Sequence, residues 1–539
     1  MFSNKHIKGI VASVLGVSLA ISVTSVLAGS KENSSAEKVL KVDVGSGNGE
    51  ITYSSDEEVE DVELRGPKSF AVSDSGDFYI LDTIGHQIEV YDQNGKSEQT
   101  IDLPEDEEFF DIEIDENDNI FVLSDLGHVL QFKDGELEND FQVAVNQNRF
   151  EISGLFFNKN NEIVVRLLDD TELSLIKGKS LLKEEPTFEV KSIDDHTVEL
   201  ITADQKIEVS YDYAPVETSL LKSTEEGEQL IVEKEALIGE GLYVETKVGR
   251  YQDGQQIGTA LAIPTKDTYY TSIPFKFLYV TKDGKAYQMI TKKNSVEIYE
   301  LPFTEEKKTN IDKQLLKKIQ PEDKRNIAFF DEEKAEIRSS QSKAQANDWY
   351  TALQRAEKMT YVSWDYNPKK MKTPSTKNTT PPDHLAKVTE TVEEQGIPYN
   401  WGGYDGVDTS NSSGENFKDS ISKGDKAGNV NTNLDYRSSG TAGIDCSGFI
   451  SSAYELGDKY GTSNLTKKFK KTSWRNFQAG DIGLRKGHVW MLESVKKGSD
   501  NPKGFYTYEA TTDGTGDKAK SYYRSWDDAQ SYSPYTIIE

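Results

Sequence analysis

Phe70-Ala71-Val72-Ser73-Asp74-Ser75-Gly76-Asp77-Phe78-Tyr79-Ile80-Leu81-Asp82 is answered 42 residues later by Ile112-Glu113-Ile114-Asp115-Glu116-Asn117-Asp118-Asn119-Ile120-Phe121-Val122-Leu123-Ser124. A third copy begins Leu155-Phe156-Phe157-Asn158-Lys159-Asn160-Asn161-Glu162-Ile163-Val164-Val165. Each reads as apolar strand, polar turn, apolar strand. The pairs Gly85-His86 and Gly127-His128 keep the same spacing, and each precedes another alternating run. A fainter copy runs from Phe277 through Asp283-Gly284 to Tyr287.

Working outward, residues 41–303 read as all-β. A period in the low forties with about four strands per unit resembles β-propeller blades, and the region accommodates about six. The stretch near 180–270 carries no clear copy. A pair of β-sandwiches is the alternative architecture. His86 and His128 share a repeat position, which makes them turn or blade-packing residues rather than metal ligands. The run Asp115-Glu116-Asn117-Asp118-Asn119 begins like a calcium loop. It has Ile120 where the sixth-position Gly belongs and Leu126 where the twelfth-position Glu belongs, so it reads as a hairpin turn. No metal site is expected.

The chain has 539 residues, enough for two to four domains. It carries 62 Lys and Arg against 92 Asp and Glu, a formal charge of −30. That argues against nucleic acid as a partner, because phosphate binding needs a basic footprint. Residues 381–539 hold 19 Lys/Arg and 22 Asp/Glu, so nearly all the acidity lies in 1–380. Residues 1–28 read as a secretion signal: Lys5 and Lys8, an apolar run from Ile10, then Val26-Leu27-Ala28 as a cleavage site. An uncleaved anchor is the alternative. After cleavage no stable membrane insertion is expected, and the location is the extracellular cell envelope. Residues 304–344 are dominated by charged and amide side chains and read as a linker.

The C-terminal third, 345–539, has a different grammar. Trp349, Ala352, Leu353, Ala356 and Met359 form an amphipathic helical stripe. Pro381-Pro382-Asp383 opens a second expected helix, with Leu385, Val388 and Val392 on one face and Gly396 as its stop. Strands are expected near 481–484, 488–494 and 505–510, an α+β order. Between the helices and the strands lies Gly443-Ile444-Asp445-Cys446-Ser447-Gly448-Phe449-Ile450, which holds the chain's single cysteine. Phe449, Ile450, Ala453 and Leu456 recur at helical spacing, with Asp445 as N-cap and Gly457 as stop. Cys446 then sits in a helix's first turn, where free N–H groups and the dipole favour a thiolate and can hold an oxyanion. His488, in Gly487-His488-Val489, is the one histidine of about the last 150 residues. A thiol and an imidazole are the minimum parts of a nucleophile and its base. A buried, purely structural cysteine is the alternative.

Four pieces in order resemble the NlpC-type family of cell-wall peptidases, which are papain-like cysteine hydrolases. They are Gly396-Ile397-Pro398-Tyr399-Asn400-Trp401-Gly402-Gly403, Ile444 to Phe449, Ala479-Gly480-Asp481-Ile482 and Gly487-His488-Val489. The resemblance implies an α+β papain-like domain with Cys446 as nucleophile and His488 as base. It implies Tyr399 beside the nucleophile and, with Asp445 and Ser447, at the substrate. The family places His, Asn or Gln on the next strand as third member; this chain has Glu509, either an orienting carboxylate or a salt-bridged strand residue. The long stretch Tyr404–Ala442 also departs from the pattern and either lines the groove or is a solvated excursion. The implied substrate is a peptidoglycan stem peptide, cut between D-glutamate and a diamino acid, with no cofactor. The propeller-like domain would bind an unknown ligand. The competing expectations are a non-catalytic envelope scaffold and an amidase or acyltransferase using the same pair.

Overall fold

The recurring polar pentads are one turn built repeatedly. The first side chain of each accepts the N–H of the fifth residue: Ser73 from Asp77 at 3.1 Å, Asp115 from Asn119 at 3.0 Å, Asn158 from Glu162 at 3.0 Å and Thr281 from Lys285 at 3.0 Å. The fourth residue takes a left-handed conformation at Gly76, Asp118, Asn161 and Gly284, which Gly, Asn and Asp tolerate best. Thr224–Glu228 repeats the turn inside the stretch where no copy is legible.

The computed structural model describes residues 36–539 except 56–58, 144–151, 159, 176–182, 185, 225, 306–307, 322–348, 375–377, 409–414, 433–437, 496–500, 502, 515 and 539. The stretch 1–28, read above as a secretion signal, and most of 304–344, read as a linker, lie outside these residues, as do parts of the Tyr404–Ala442 stretch. In the linker's described part, Asp312 caps a helix over Lys313–Ile319. No helix among the described residues is long and apolar enough to cross a membrane.

The N-terminal region is β-propeller-like. Among the described residues six antiparallel sheets follow one another, four of them four-stranded in chain order. The sheet over Phe188–Ser210 has three strands. The last sheet combines Leu278–Val280, Ala286–Lys292 and Ser295–Leu301 with the strand Glu37–Asp43, which pairs antiparallel with Ser295–Leu301. The two ends of the region thus share one sheet, and an edge that would be exposed is paired. Apolar clusters fill the spaces between neighbouring sheets: Phe110, Leu123 and Val129 against Leu155 and Val165, and Leu230 and Val248 against Phe277 and Val280.

The C-terminal part is built on a six-stranded antiparallel sheet, in the order Phe469–Lys471, Ser533–Ile537, Ile482–Arg485, His488–Val495, Gly504–Thr511, Lys518–Ser525. Strand alternation sends Val489 and Met491 to one face and Trp490 and Leu492 to the other. The first face packs on the helices Trp349–Tyr361 and Cys446–Ala453. The second, with Trp474, Phe505 and Trp526, packs on Val216, Ala236, Ile238, Leu242 and Val244 of the propeller-like region. Ion pairs Lys234–Asp527 at 2.8 Å and Lys68–Asp513 at 2.7 Å tie the same two parts. The described residues form one compact unit.

Two expected elements differ. The helix expected from Pro381 to Gly396 is one turn, Asp383–Ala386; Val392–Gln395 is instead a strand paired with Ser363–Tyr366. The segment Val388-Thr389-Glu390-Thr391-Val392 is rich in β-branched residues, which a helix restricts and a pleated strand accommodates. The Cys446 helix ends at Ala453, before Leu456, and the chain then turns through left-handed Glu455 and Gly457.

Candidate active site

Asp445 sets the site from below. Its Oδ1 accepts the N–H of Gly448 at 2.7 Å, capping the eight-residue helix that Cys446 opens, and the hydroxyl of Ser447 at 3.2 Å. Its Oδ2 accepts the N–H of Gly402 at 2.7 Å and pairs with Lys459 at 2.9 Å. One carboxylate therefore joins the helix start to the Trp401-Gly402-Gly403 loop. Gly448 makes that contact possible, because a Cβ there would lie 2.0 Å from the Gly403 carbonyl oxygen. The Asp445 and Ser447 side chains are thus engaged in building the helix start. Burial raises the Asp445 carboxyl to about 6, with Lys459 opposing and the Asp61 carboxylate adding to it.

Cys446 is 1% exposed. Its Sγ donates to the carbonyl oxygen of Asp61 at 3.5 Å and lies 4.0 Å from that of Gly487. The N–H of Val489 reaches the sulfur from the same strand. Burial pushes the thiol well above its ordinary value, and the Asp61 and Asp445 carboxylates push the same way against Lys459. In this arrangement the sulfur is a neutral thiol. Among the described residues its hydrogen-bond partners are backbone groups on either side of His488 and in the 59–63 segment; the imidazole is not one of them.

His488 begins the strand that borders the sulfur and is 2% exposed. Its Nε2 is 2.6 Å from Oε2 of Glu509, the carboxylate on the adjacent strand. Glu509 is itself held: Thr507 donates to Oε1 at 2.6 Å, and Arg524 donates to Oε1 at 3.0 Å and Oε2 at 2.6 Å. Burial alone would raise its carboxyl; Arg524 and His488 outweigh that and hold it down at about 2. Glu509 therefore stays ionised facing the ring, the arrangement that orients an imidazole and stabilises its cation.

Tyr399 shares an acceptor with the thiol. Its hydroxyl donates to the Asp61 carbonyl oxygen at 2.5 Å, the same oxygen that meets the sulfur. Cys446, Tyr399 and the Gly487–Val489 strand thus converge on one point, with Glu509 behind His488.

The sequence pattern carried no sign of Arg524, Arg485 or Lys459, and it did not place the segment Glu60–Glu63 at the site. Glu63 is clamped by Arg524 at 3.0 Å and Arg485 at 2.5 Å, with His488 Nε2 4.0 Å away. Despite burial, these cations hold the Glu63 carboxyl well below the usual range. The acidic run Asp56 to Glu63 was the available signal, and it reads as solvated charge.

No family model and no curated protein matches the chain. Among solved structures it is similar to a streptogramin B lyase, at 13% identity and a TM-score of 0.29, covering 46% of this chain and 97% of that one. A catalytically inactive virginiamycin B lyase from Staphylococcus aureus, solved with quinupristin, gives 11%, 0.28, 46% and 99%. A DUF4221 family member from Bacteroides vulgatus gives 12%, 0.32, 50% and 98%. At such scores these likenesses bear on no activity. The propeller-like reading stands on the sheet order and the recurring turn.

Proposed function

We propose that the C-terminal part is a papain-like cysteine hydrolase, exported by the leader at 1–28, that cuts an amide in peptidoglycan stem peptides. The observation that carries this reading is the convergence of the Cys446 helix start with a strand that places His488 2.6 Å from a buried, ionised Glu509. A purely structural cysteine would need neither. Glu509 takes the orienting role and Arg524 keeps it charged. Asp445 and Ser447 position the helix rather than touch substrate.

In the reaction Sγ attacks the amide carbonyl carbon as His488 takes the thiol proton. The oxyanion meets helix N–H groups and the Tyr399 hydroxyl. The C–N bond breaks as His488 returns the proton to the leaving amine, leaving a thioester on Cys446. Water, deprotonated by His488, then attacks the thioester and releases the acid and the thiol.

The test uses the full chain, because the sheet shares its second face with the propeller-like region. Wild type and Cys446→Ala are incubated with purified peptidoglycan at up to stoichiometric concentration, and released peptides are read by mass spectrometry. New free amines with wild type alone support the hydrolase. Equal release by both contradicts it, as does release by neither from a chain whose Cys446 thiol is accessible to alkylation; the second result favours an envelope scaffold.

A further inference from the structure

The space in front of the Cys446 sulfur is filled by the chain's own segment Val59–Arg65, whose Asp61 carbonyl meets Sγ and whose Val59 and Val62 carbonyls border Gly487. This segment precedes the first blade strand, Ser69–Val72, and belongs to no sheet. Asp61 lies over the sulfur in a left-handed conformation, φ 61°, which Asp tolerates better than most residues. Its carbonyl oxygen meets both Sγ and the Tyr399 hydroxyl. Its carboxylate is taken by Lys459 at 2.8 Å and the Thr462 N–H at 2.9 Å. On one side Trp401 Nε1 donates to the Glu60 carbonyl at 3.2 Å, and Ser463 holds the Glu60 carboxylate at 2.5 Å. On the other, Val62 lies so close to Gly487 that a Cβ there would be 2.8 Å from its carbonyl oxygen. Beyond it Glu63 enters the Arg485–Arg524 clamp.

We propose that Val59–Arg65 is a resident cis ligand of the Cys446 groove, an acidic peptide that fills the site where a substrate acyl group would lie and must leave before one can bind. Main-chain carbonyl at the nucleophile and acidic side chains in flanking cationic subsites are how a peptide substrate would be held. Simple packing between two parts of a protein has no reason to aim a main-chain carbonyl at the thiol. The neutral state of the thiol follows in part from the occupant, since Asp61 is among the carboxylates that raise it. The subsites also define what displaces the segment: a peptide carrying carboxylates on both sides of the amide, for Lys459 and for Arg485 with Arg524. Occupancy stands without the hydrolase reading; its consequence, a latent enzyme, rests on it.

The test is the alkylation rate of Cys446 by iodoacetamide in the intact chain, where it is the sole thiol. Wild type is expected to react at least about ten-fold more slowly than the urea-unfolded chain at the same pH. Asp61→Asn with Glu63→Gln, near-isosteric but uncharged, is expected to raise the folded rate at least about ten-fold at an unchanged melting temperature. A synthetic peptide of the Val59–Arg65 sequence is expected to slow it again, and one with Lys in place of Asp61 and Glu63 is not. If the double variant melts early, Asp61→Asn alone decides by the same criterion, since it leaves the Glu63 clamp intact. A wild-type thiol that reacts like the unfolded one, or a folded variant no faster than wild type, overturns the proposal. Protected-then-released labelling with no cleavage of peptidoglycan would remove the hydrolase and keep the occupant. Cleavage by a chain whose thiol labels freely would do the reverse.

Discussion

Gly448→Ala tests the joint on which the site is built. In an ordinary helix interior this change stabilises by about 1 kcal/mol. Here the new Cβ falls 2.0 Å from the Gly403 carbonyl oxygen, 3.0 Å from its carbon and 3.0 Å from Asp445 Oδ1. Relief requires more than about 1 Å of movement by main chain, not by a flexible side-chain end. Overpacking of this kind costs about 1–3 kcal/mol, and the moving carbonyl also endangers the bond it accepts from the Asp445 N–H, worth about 1 kcal/mol. After the propensity gain, a net loss of about 2 kcal/mol is expected. Urea unfolding followed by tryptophan fluorescence reads it as a lower midpoint at unchanged slope. Gly457→Ala is the control, with φ +83° but nothing within 4 Å, and should lose only the conformational part, about 1 kcal/mol. A Gly448→Ala protein as stable as wild type, or more so, would refute the packing of the Cys446 helix on the Gly402-Gly403 loop.

Glu509→Gln should lower any Cys446-dependent turnover by up to about 10⁴-fold while leaving the thiol alkylable, because the imidazole loses its ionised partner. The same residue contributes to acid stability. Its carboxyl is held near 2 in the fold against an ordinary 4.5, so its contribution is fully present above about pH 4.5 and is lost as pH falls through about 2. Urea midpoints between pH 7 and pH 3 should therefore fall less steeply in Glu509→Gln; an identical acid limb would contradict the pairing with Arg524 and His488. Trp526→Ala should cost about 3–5 kcal/mol and lower the unfolding of the propeller-like and C-terminal parts together, because Trp526 lies in the core they share. Separate transitions by hydrogen exchange, with only one displaced, would contradict a shared core.

Local chemistry was legible and distant pairing was not. The pentad turns could be read because one side chain serves the backbone four residues on, a contact written within five letters. The C-terminal strands were readable because Val489, Trp490, Met491 and Leu492 must satisfy two apolar faces at once. Leu385, Val388 and Val392 misled because their spacing fits a helix, while the β-branched residues between them favour a strand. The sheet over Phe188–Ser210 was obscured by its half-buried strands, in which Val198, Leu200, Ile207 and Val209 alternate with solvated positions and no pentad copy marks the turn. The bond between Cys446 and Asp61 spans 385 positions, and that between Arg524 and Glu63 spans 461. No periodicity or motif encodes such meetings; only the closed fold brings the acidic segment to the thiol.

In the proposed reaction Cys446 carries an acyl group, which hydroxylamine would intercept in competition with water. The full chain with Asp61→Asn and Glu63→Gln is incubated with peptidoglycan and increasing hydroxylamine, and the products are read by mass spectrometry. A thioester on Cys446 predicts that the acyl product shifts from free acid to hydroxamate, and that Cys446→Ala on the same background yields neither. Free acid alone at every hydroxylamine concentration, or no product from a chain whose thiol is demonstrably accessible, would contradict it.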